Sequence, residues 1–214
     1  MDTDQDRHRQ LVAALSLSTG NNSPMRIRLA DPERDSARAA EIYRPAVVGS
    51  TISFEEVAPD ADEMAARMRT VLTRTPWLVA VADDGLPIGY AYASEHRSRA
   101  GYRWSVDITV YVDPAGHGRG VGRALYGELL PILRRQCFVN AYAGIGLPNA
   151  ASVALHESIG MTRIGVYQRV GWKLGRWVDV AWYGMRLSEG SAAGPPPEPI
   201  PFPQLGDESD ISAE

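Results

Sequence analysis

Glycines at 116, 118, 120 and 122, in the run Asp113-Pro-Ala-Gly-His-Gly-Arg-Gly-Val-Gly-Arg123, constrain this chain more than any other feature. Glycine tolerates positive φ and carries no Cβ, so a turn built this way can bend sharply and leave its amides uncovered. The residues before the run are β-rich, and those after it, Ala124-Leu-Tyr126 and Leu129-Leu130, form an i, i+4 apolar stripe. The run therefore reads as a strand-to-helix turn whose N–H groups converge at the positive end of a helix, a cradle for a pyrophosphate. Two common phosphate loops are excluded. A dinucleotide fingerprint ends in Gly or Ala, yet starting it at Gly116, Gly118 or Gly120 brings Val121, Arg123 or Leu125 to that place. A P-loop requires a lysine, and the segment has none.

A chain of 214 residues with 44% hydrophobic content supports one α/β domain with a true core, plus flanking segments. Its net charge of −4 is unevenly spread: residues 1–24 contribute −1 and residues 188–214 contribute −6, which leaves +3 between them. A mildly basic middle suits a small polyanion better than a nucleic-acid lattice. The single cysteine, Cys137, excludes an intrachain disulfide and, beside Phe138-Val139 at an expected strand start, fits a buried inert thiol in a reducing compartment. The N-terminus opens with Asp2, Asp4 and Asp6 instead of a basic stretch, and no run approaches the roughly 18 apolar residues that span a membrane. A cytoplasmic protein with neither nucleic acid nor membrane as partner is expected.

Punctuation and periodicity divide the chain into an N-terminal extension (1–24), a domain (25–187) and an acidic, proline-rich tail (188–214) whose composition predicts no core of its own. Arg26–Leu29 alternates as a strand, and Asp31-Pro32 opens a helix with an N-cap and a first-turn proline. A second helix follows Pro59-Asp60. Trp77–Val81 and Ile88–Tyr92 form a hairpin about Asp83-Asp-Gly85. Trp104–Val112 is a long strand, 120–136 a helix, Phe138–Ile145 a strand and Asn149–Ile159 a helix; Met161–Val170 and Val178–Leu187 are the last strands.

That order, the glycine turn after a long central strand, and Asn149-Ala-Ala-Ser-Val-Ala-Leu-His-Glu-Ser-Ile-Gly160 resemble the GCN5-related N-acetyltransferase superfamily. More narrowly, the blocks 102–112, 146–156 and 171–180 are similar to the phosphinothricin N-acetyltransferase family, over about Met25 to Leu187. The resemblance implies an α/β (α+β type) GNAT fold: a mixed, mostly antiparallel sheet of about seven strands flanked by four helices. It implies acetyl-CoA as co-substrate, no metal, a small-molecule amine as acceptor, and a homodimer. The diphosphate would lie on the amides of Gly118, Arg119, Gly120, Val121, Gly122 and Arg123, and His117, a further cofactor contact able to donate a hydrogen bond, stands where the family usually has Gln or Arg. Backbone groups of Thr109, Val110, Tyr111 and Val112 would meet the thioester and pantetheine, and Asn149 would cap its helix and touch the pantetheine.

Acetyl transfer to an amine requires a neutral acceptor, a donor for the thioester oxygen, and stabilisation of the departing thiolate. The family's base is a Glu in a Trp-x-x-Glu setting; here it is Asp107, one methylene shorter, whose contact with the amine would run through a water more readily than directly. The resemblance implies that His156 protonates the leaving thiolate as a solvent-reachable imidazole, and that Phe54, Arg97, Arg99 and Tyr102 bind the acceptor. Arginine forks suit an amino acid with a carboxylate and a second oxyanion-like head. Lys173, Trp177 and Asp179 resemble a family signature whose role stays open. The expected activity is direct transfer, in a ternary complex, to the α-amine of phosphinothricin, methionine sulfoximine or methionine sulfone. Acetylation of another small amine, or a catalytically weak acyl-CoA sensor whose tail recruits a partner, is the alternative.

Overall fold

The computed structural model describes residues 25–189, 194 and 196–206. The expected N-terminal extension lies outside the described residues.

Seven strands form one sheet: β1 (Arg26–Leu29), β2 (Trp77–Val81), β3 (Pro87–Glu95), β4 (Ser105–Val112), β5 (Asn140–Gly146), β6 (Thr162–Lys173) and β7 (Arg176–Arg186), in the order β1-β2-β3-β4-β5-β7-β6. All pairs are antiparallel except β4 with β5. Four helices cover it: α1 (Pro32–Val48), α2 (Ala61–Leu72), α3 (Val121–Arg135) and α4 (Ala150–Ser158). The element order and the fold class are those expected from the sequence.

β2 is buried along its whole length, because both faces are covered and successive side chains point to opposite sides. Trp77, Val79 and Val81 join Tyr43, Met64 and Met68 from α1 and α2 in one core. Leu78 and Ala80 join Leu125, Leu129 and Leu133 from α3 in the other. The helix starts are those the sequence signalled: the carboxylate of Asp31 accepts the amide of Glu33 at 3.0 Å, and that of Asp60 accepts the amide of Glu63 at 2.9 Å.

Among the described residues the acidic tail builds no core of its own but docks on that of the domain: Phe202 and Leu205 are buried with Phe138 and Leu133, and Gln136 Nε2 donates to the carbonyl of Ile200 at 2.7 Å. The tail is extended and proline-rich, so it exposes few N–H donors that need partners; those of Ile200 and Phe202 reach the carbonyls of Gln136 and Arg74. Cys137 is half-buried in a turn at φ 66° after α3, ahead of the strand instead of at its start, and β5 begins at Asn140.

Candidate active site

The central strands part in the middle of the sheet. β4 stays paired with β3 from Val106 to Val112, but with β5 only from Ser105 to Asp107. Beyond Asp107 the edge of β4 that faces β5 has lost its ladder partner, so backbone groups of Thr109–Tyr111 on that edge face the gap. A cavity of about 100 Å³ fills that gap, lined by Thr109, Val110 and Tyr111 on one side and by Asn149, Ser152 and His156 on the other. The slot passes through the sheet. His156 and Tyr126 stand on the α3–α4 face, whereas alternation along β4 turns Asp107, Thr109 and Tyr111 to the α1–α2 face.

The glycine turn lies beside the slot: a Cβ built on Gly122 would come within 3.7 Å of Val110, one of the slot's residues. Gly118 and Gly120 have φ of 72° and 77°, and a Cβ built on either would meet no atom within 4 Å, so the turn needs glycine for its backbone shape and leaves open space above its amides. Among the described residues only Arg119 in the run 118–123 has its N–H engaged in a turn bond, at 3.4 Å to the carbonyl of Gly116. The first turn of α3 leaves its own amides free. This geometry fits a diphosphate. Val121 contributes backbone only, its side chain being buried in the core, while Arg119 and Arg123 are exposed. His117 donates from Nε2 to the carbonyl of Val112 at 3.1 Å, which ties its ring to the strand end. Sequence reasoning missed Arg38, whose guanidinium reaches the carbonyl of Pro87 at 3.1 Å and the carboxylate of Asp113 at 2.5 Å and so fixes the start of the turn.

His156 departs from the expected exposure. It is 4% exposed, and burial pulls its pKa below the usual imidazole value. Its Nδ1 lies 2.7 Å from the carbonyl of Ser152 and its Nε2 lies 3.1 Å from the hydroxyl of Tyr126. A carbonyl only accepts, so Nδ1 carries the proton, and the neutral ring accepts the Tyr126 hydroxyl at Nε2. Asn149 caps α4 as expected, its side-chain oxygen accepting the amide of Ser152 at 3.1 Å.

On the opposite face Asp107 meets a residue that the sequence reading passed over. His96 Nδ1 lies 2.6 Å from Asp107 Oδ1, and burial raises the Asp107 pKa against the lowering pull of His96 and Arg97. The hairpin register contained the signal: Tyr92 pairs Thr109 and Ser94 pairs Asp107, so His96, two residues past Ser94, falls on the Asp107 face. Around this pair stand two of the expected acceptor residues. The Arg97 guanidinium lies over the Trp182 ring at 5.6 Å, and Tyr102 is edge-on to His96 at 6.1 Å. Arg99 is exposed at the start of the same turn. Phe54 sits farther along the face against Gly171, where an added Cβ would collide with its ring at 2.4 Å. Lys173 is a buried anchor, donating to the carbonyls of Val47 and Ser53, and Asp179 accepts the amide of Arg169 at 2.7 Å. A second cavity of about 370 Å³ on the α1–α2 face is walled by Tyr43, Trp77, Tyr90, Tyr92, Arg67 and Tyr111, the last shared with the slot. Among the described residues no group of three His, Cys, Asp or Glu side chains is placed to hold a metal ion, and no helix is long and apolar enough to cross a membrane.

A sheet split between its fourth and fifth strands, with a glycine turn and helix N-terminus beside the split, defines an acyl-transfer fold, and the sequence signature of the acetyltransferase (GNAT) domain matches residues 27–182. The chain belongs to the GNAT acetyltransferase family. The phosphinothricin N-acetyltransferase of Streptomyces coelicolor is 42% identical, covering 71% of this chain and 90% of its own. The L-methionine sulfoximine/L-methionine sulfone acetyltransferase of Salmonella typhimurium is 37% identical, covering 78% of this chain and 98% of its own. A solved GNAT superfamily phosphinothricin acetyltransferase from Sinorhizobium meliloti, in complex with acetyl-CoA, superposes with a TM-score of 0.78 at 35% identity, covering 86% of this chain and 99% of that one. Within the family the chain stands with the phosphinothricin N-acetyltransferases.

Proposed function

We propose that residues 25–187 form an N-acetyltransferase domain that moves the acetyl group of acetyl-CoA to the α-amine of phosphinothricin, methionine sulfoximine or methionine sulfone, directly and within a ternary complex. The observation that carries this reading is the slot between β4 and β5, lined by Thr109, Val110 and Tyr111 on one side and His156 on the other, with the glycine turn packed beside it where Gly122 meets Val110 and with Asp107 at the last β4–β5 pair. The amides of Gly118 to Arg123 hold the diphosphate, helped by Arg119, Arg123 and the N-terminus of α3. The β5-facing edge of the Thr109–Val112 backbone binds the pantetheine and polarises the thioester carbonyl, its N–H groups acting as preorganised donors that need no rearrangement as charge grows. Asp107 stands at the base position. The His156–Tyr126 pair, on the face from which the thiolate departs, supplies its proton. Arg97, Arg99, Tyr102 and Phe54 receive the acceptor, the arginines taking its oxyanionic groups.

The exposed apolar side chains of the β6–β7 hairpin, Tyr167, Val170, Trp172, Leu174 and Trp177, support a homodimer through that edge of the sheet. The lone cysteine supports a cytoplasmic, reducing setting. The ring-lined cavity of about 370 Å³, sharing Tyr111 with the slot, favours a second reading within the same class, in which acceptors with a larger apolar side chain are also used.

The test is purified full-length chain with acetyl-CoA and a panel of amino-acid amines, following free thiol. Thiol release that depends on phosphinothricin, methionine sulfoximine or methionine sulfone is expected. Calorimetric binding of acetyl-CoA with no thiol release for any amine would leave an acyl-CoA sensor in place of the enzyme.

A further inference from the structure

His96 occupies an unusual place for a residue outside any expected motif. Its ring lies 4.6 Å from Tyr142 of β5 and edge-on to Trp182 of β7 at 6.1 Å, so stacking fixes its plane. The carboxylate of Asp107 accepts, so Nδ1 carries the hydrogen of the 2.6 Å bond and the lone pair of the neutral ring is at Nε2. Among the described residues that nitrogen has no hydrogen-bond partner, although the side chain is only 15% exposed. Arg97 and Tyr102, both assigned to the acceptor, flank the ring.

We infer that His96 is the group that takes the proton from the acceptor's ammonium, through Nε2, and that Asp107 is its positioning partner. This rests on the acetyltransferase reading above. An aspartate stops about 1.5 Å short of a glutamate on the same strand, and the oxygen Oδ1 is already committed to His96. The imidazole extends the reach that the shorter acid gives up. An imidazole ordinarily titrates two to three units nearer an ammonium than a carboxylate does, about 6.5 against about 3.9, so it is the better match as a base near neutrality.

The ammonium N–H bond breaks as an Nε2–H bond forms, and the imidazolium is compensated by the Asp107 carboxylate. The freed nitrogen lone pair then bonds to the acetyl carbonyl carbon, and the C–S bond breaks with its electrons going to sulfur. The second nitrogen proton leaves as the amide forms and balances the one that the thiolate takes up. One proton per turnover reaches solvent, from His96. The charged and titratable groups facing the ring are Asp107 from β4, Tyr142 from β5, Tyr102 from the preceding turn, and Arg97, which donates to the carbonyl of His96 at 2.7 Å.

The test has two arms. Nitrogen-15 histidine spectra of the full chain without acetyl-CoA should show His96 as the Nδ1–H tautomer, and Asp107→Ala, which removes the acceptor, should shift the ring toward the Nε2–H tautomer. An Nε2–H tautomer in the wild type, or a tautomer preference that Asp107→Ala leaves in place, overturns the inference. In thiol-release assays with L-methionine sulfone, His96→Gln should lower kcat/KM by about 10²-fold and remove the acid limb of its pH profile, with acetyl-CoA affinity by calorimetry unchanged within twofold. His96→Asn serves if the glutamine variant does not fold. Unchanged turnover in a folded His96 variant, or an acid limb that survives it and disappears only with Asp107→Asn, makes the carboxylate itself the base and refutes the inference. A wild-type chain that releases no thiol with any amine removes the enzyme reading, and the inference with it, while the spectra still report whether the pair forms.

Discussion

Replacing Lys173 by methionine isolates what holds the loop that carries Phe54. Lys173, at the end of β6, is 6% exposed, and its Nζ donates to the carbonyls of Val47 at 2.5 Å and Ser53 at 2.6 Å. Helix α1 has no basic residue in its last turn, so this ammonium, arriving from a distant strand, supplies the cation that its carbonyl end favours. Methionine keeps the stem's length and apolar packing but removes both donors. Each charge-assisted bond contributes about 1.5–3 kcal/mol, and a buried carbonyl left bare costs about 1–3 kcal/mol. Against this loss stands the desolvation of the ammonium, which pulls the Lys173 pKa down and which the substitution relieves. The difference should be a net destabilisation of about 2–3 kcal/mol, since removing one side of a buried polar contact exposes the asymmetry between making and breaking it. For a domain of this size that lowers Tm by roughly 5–10 °C. Because Ser53 adjoins Phe54, the freed loop should also raise KM for the acceptor several-fold while kcat changes little. Urea unfolding followed by tryptophan fluorescence, with acceptor kinetics at saturating acetyl-CoA, measures both. A Met variant as stable as the wild type to within about 0.5 kcal/mol, with unaltered KM, would mean that water satisfies the two carbonyls and that the loop is held by packing alone.

Asp35 is fully buried and bonded to Arg28 at 2.6 and 2.8 Å and to the amide of Asp31 at 2.8 Å; Asp35→Asn should destabilise the fold by about 3–5 kcal/mol in equilibrium unfolding. Burial raises its pKa, but the bonds from Arg28 and the Asp31 amide outweigh it and hold the carboxyl below its ordinary value. The stability it confers is therefore fully present above pH ~4 and lost as pH falls through the lower folded value, so the wild-type acid limb should be steeper than that of the variant. At the turn, Gly120→Ala places a β-carbon in open space at φ 77°. The strain should lower stability by only about 1–2 kcal/mol, while acetyl-CoA affinity measured by calorimetry falls at least tenfold; undiminished affinity would remove the amides of the turn from cofactor binding. A chain ending at residue 195 loses the buried Phe202 and Leu205 and should be less stable by about 3–6 kcal/mol, a loss visible as a lower urea midpoint.

What the sequence made legible and what it hid separate along one physical line. Local rules gave the elements: the capping carboxylates Asp31 and Asp60, the apolar run of β2 and the stripe of α3 are each read within a dozen residues, and each lies where it was expected. The glycine turn was legible for the same reason, since positive φ at Gly118 and Gly120 is a property of single positions. Asp107 and the slot residues were placed by resemblance, which carries positions but not their surroundings. Resemblance therefore gave His156 its number and the wrong exposure, because the Tyr126 hydroxyl that covers it comes from another helix. The docking of the tail was not legible in its composition: proline and acid outnumber its apolar residues, yet Phe202 and Leu205 need only a groove and two satisfied amides to dock. His96 is the most instructive omission. Nothing local marks it, but Asp107 is one methylene shorter than the Glu that the resemblance leads one to expect there, and antiparallel register places only a few residues beside it. Following the β3–β4 hairpin past Ser94 reaches His96 on the correct face. A departure from a family's pattern is thus a reason to search the paired strand for compensation, because pairing turns a distance of eleven residues in sequence into a 2.6 Å contact.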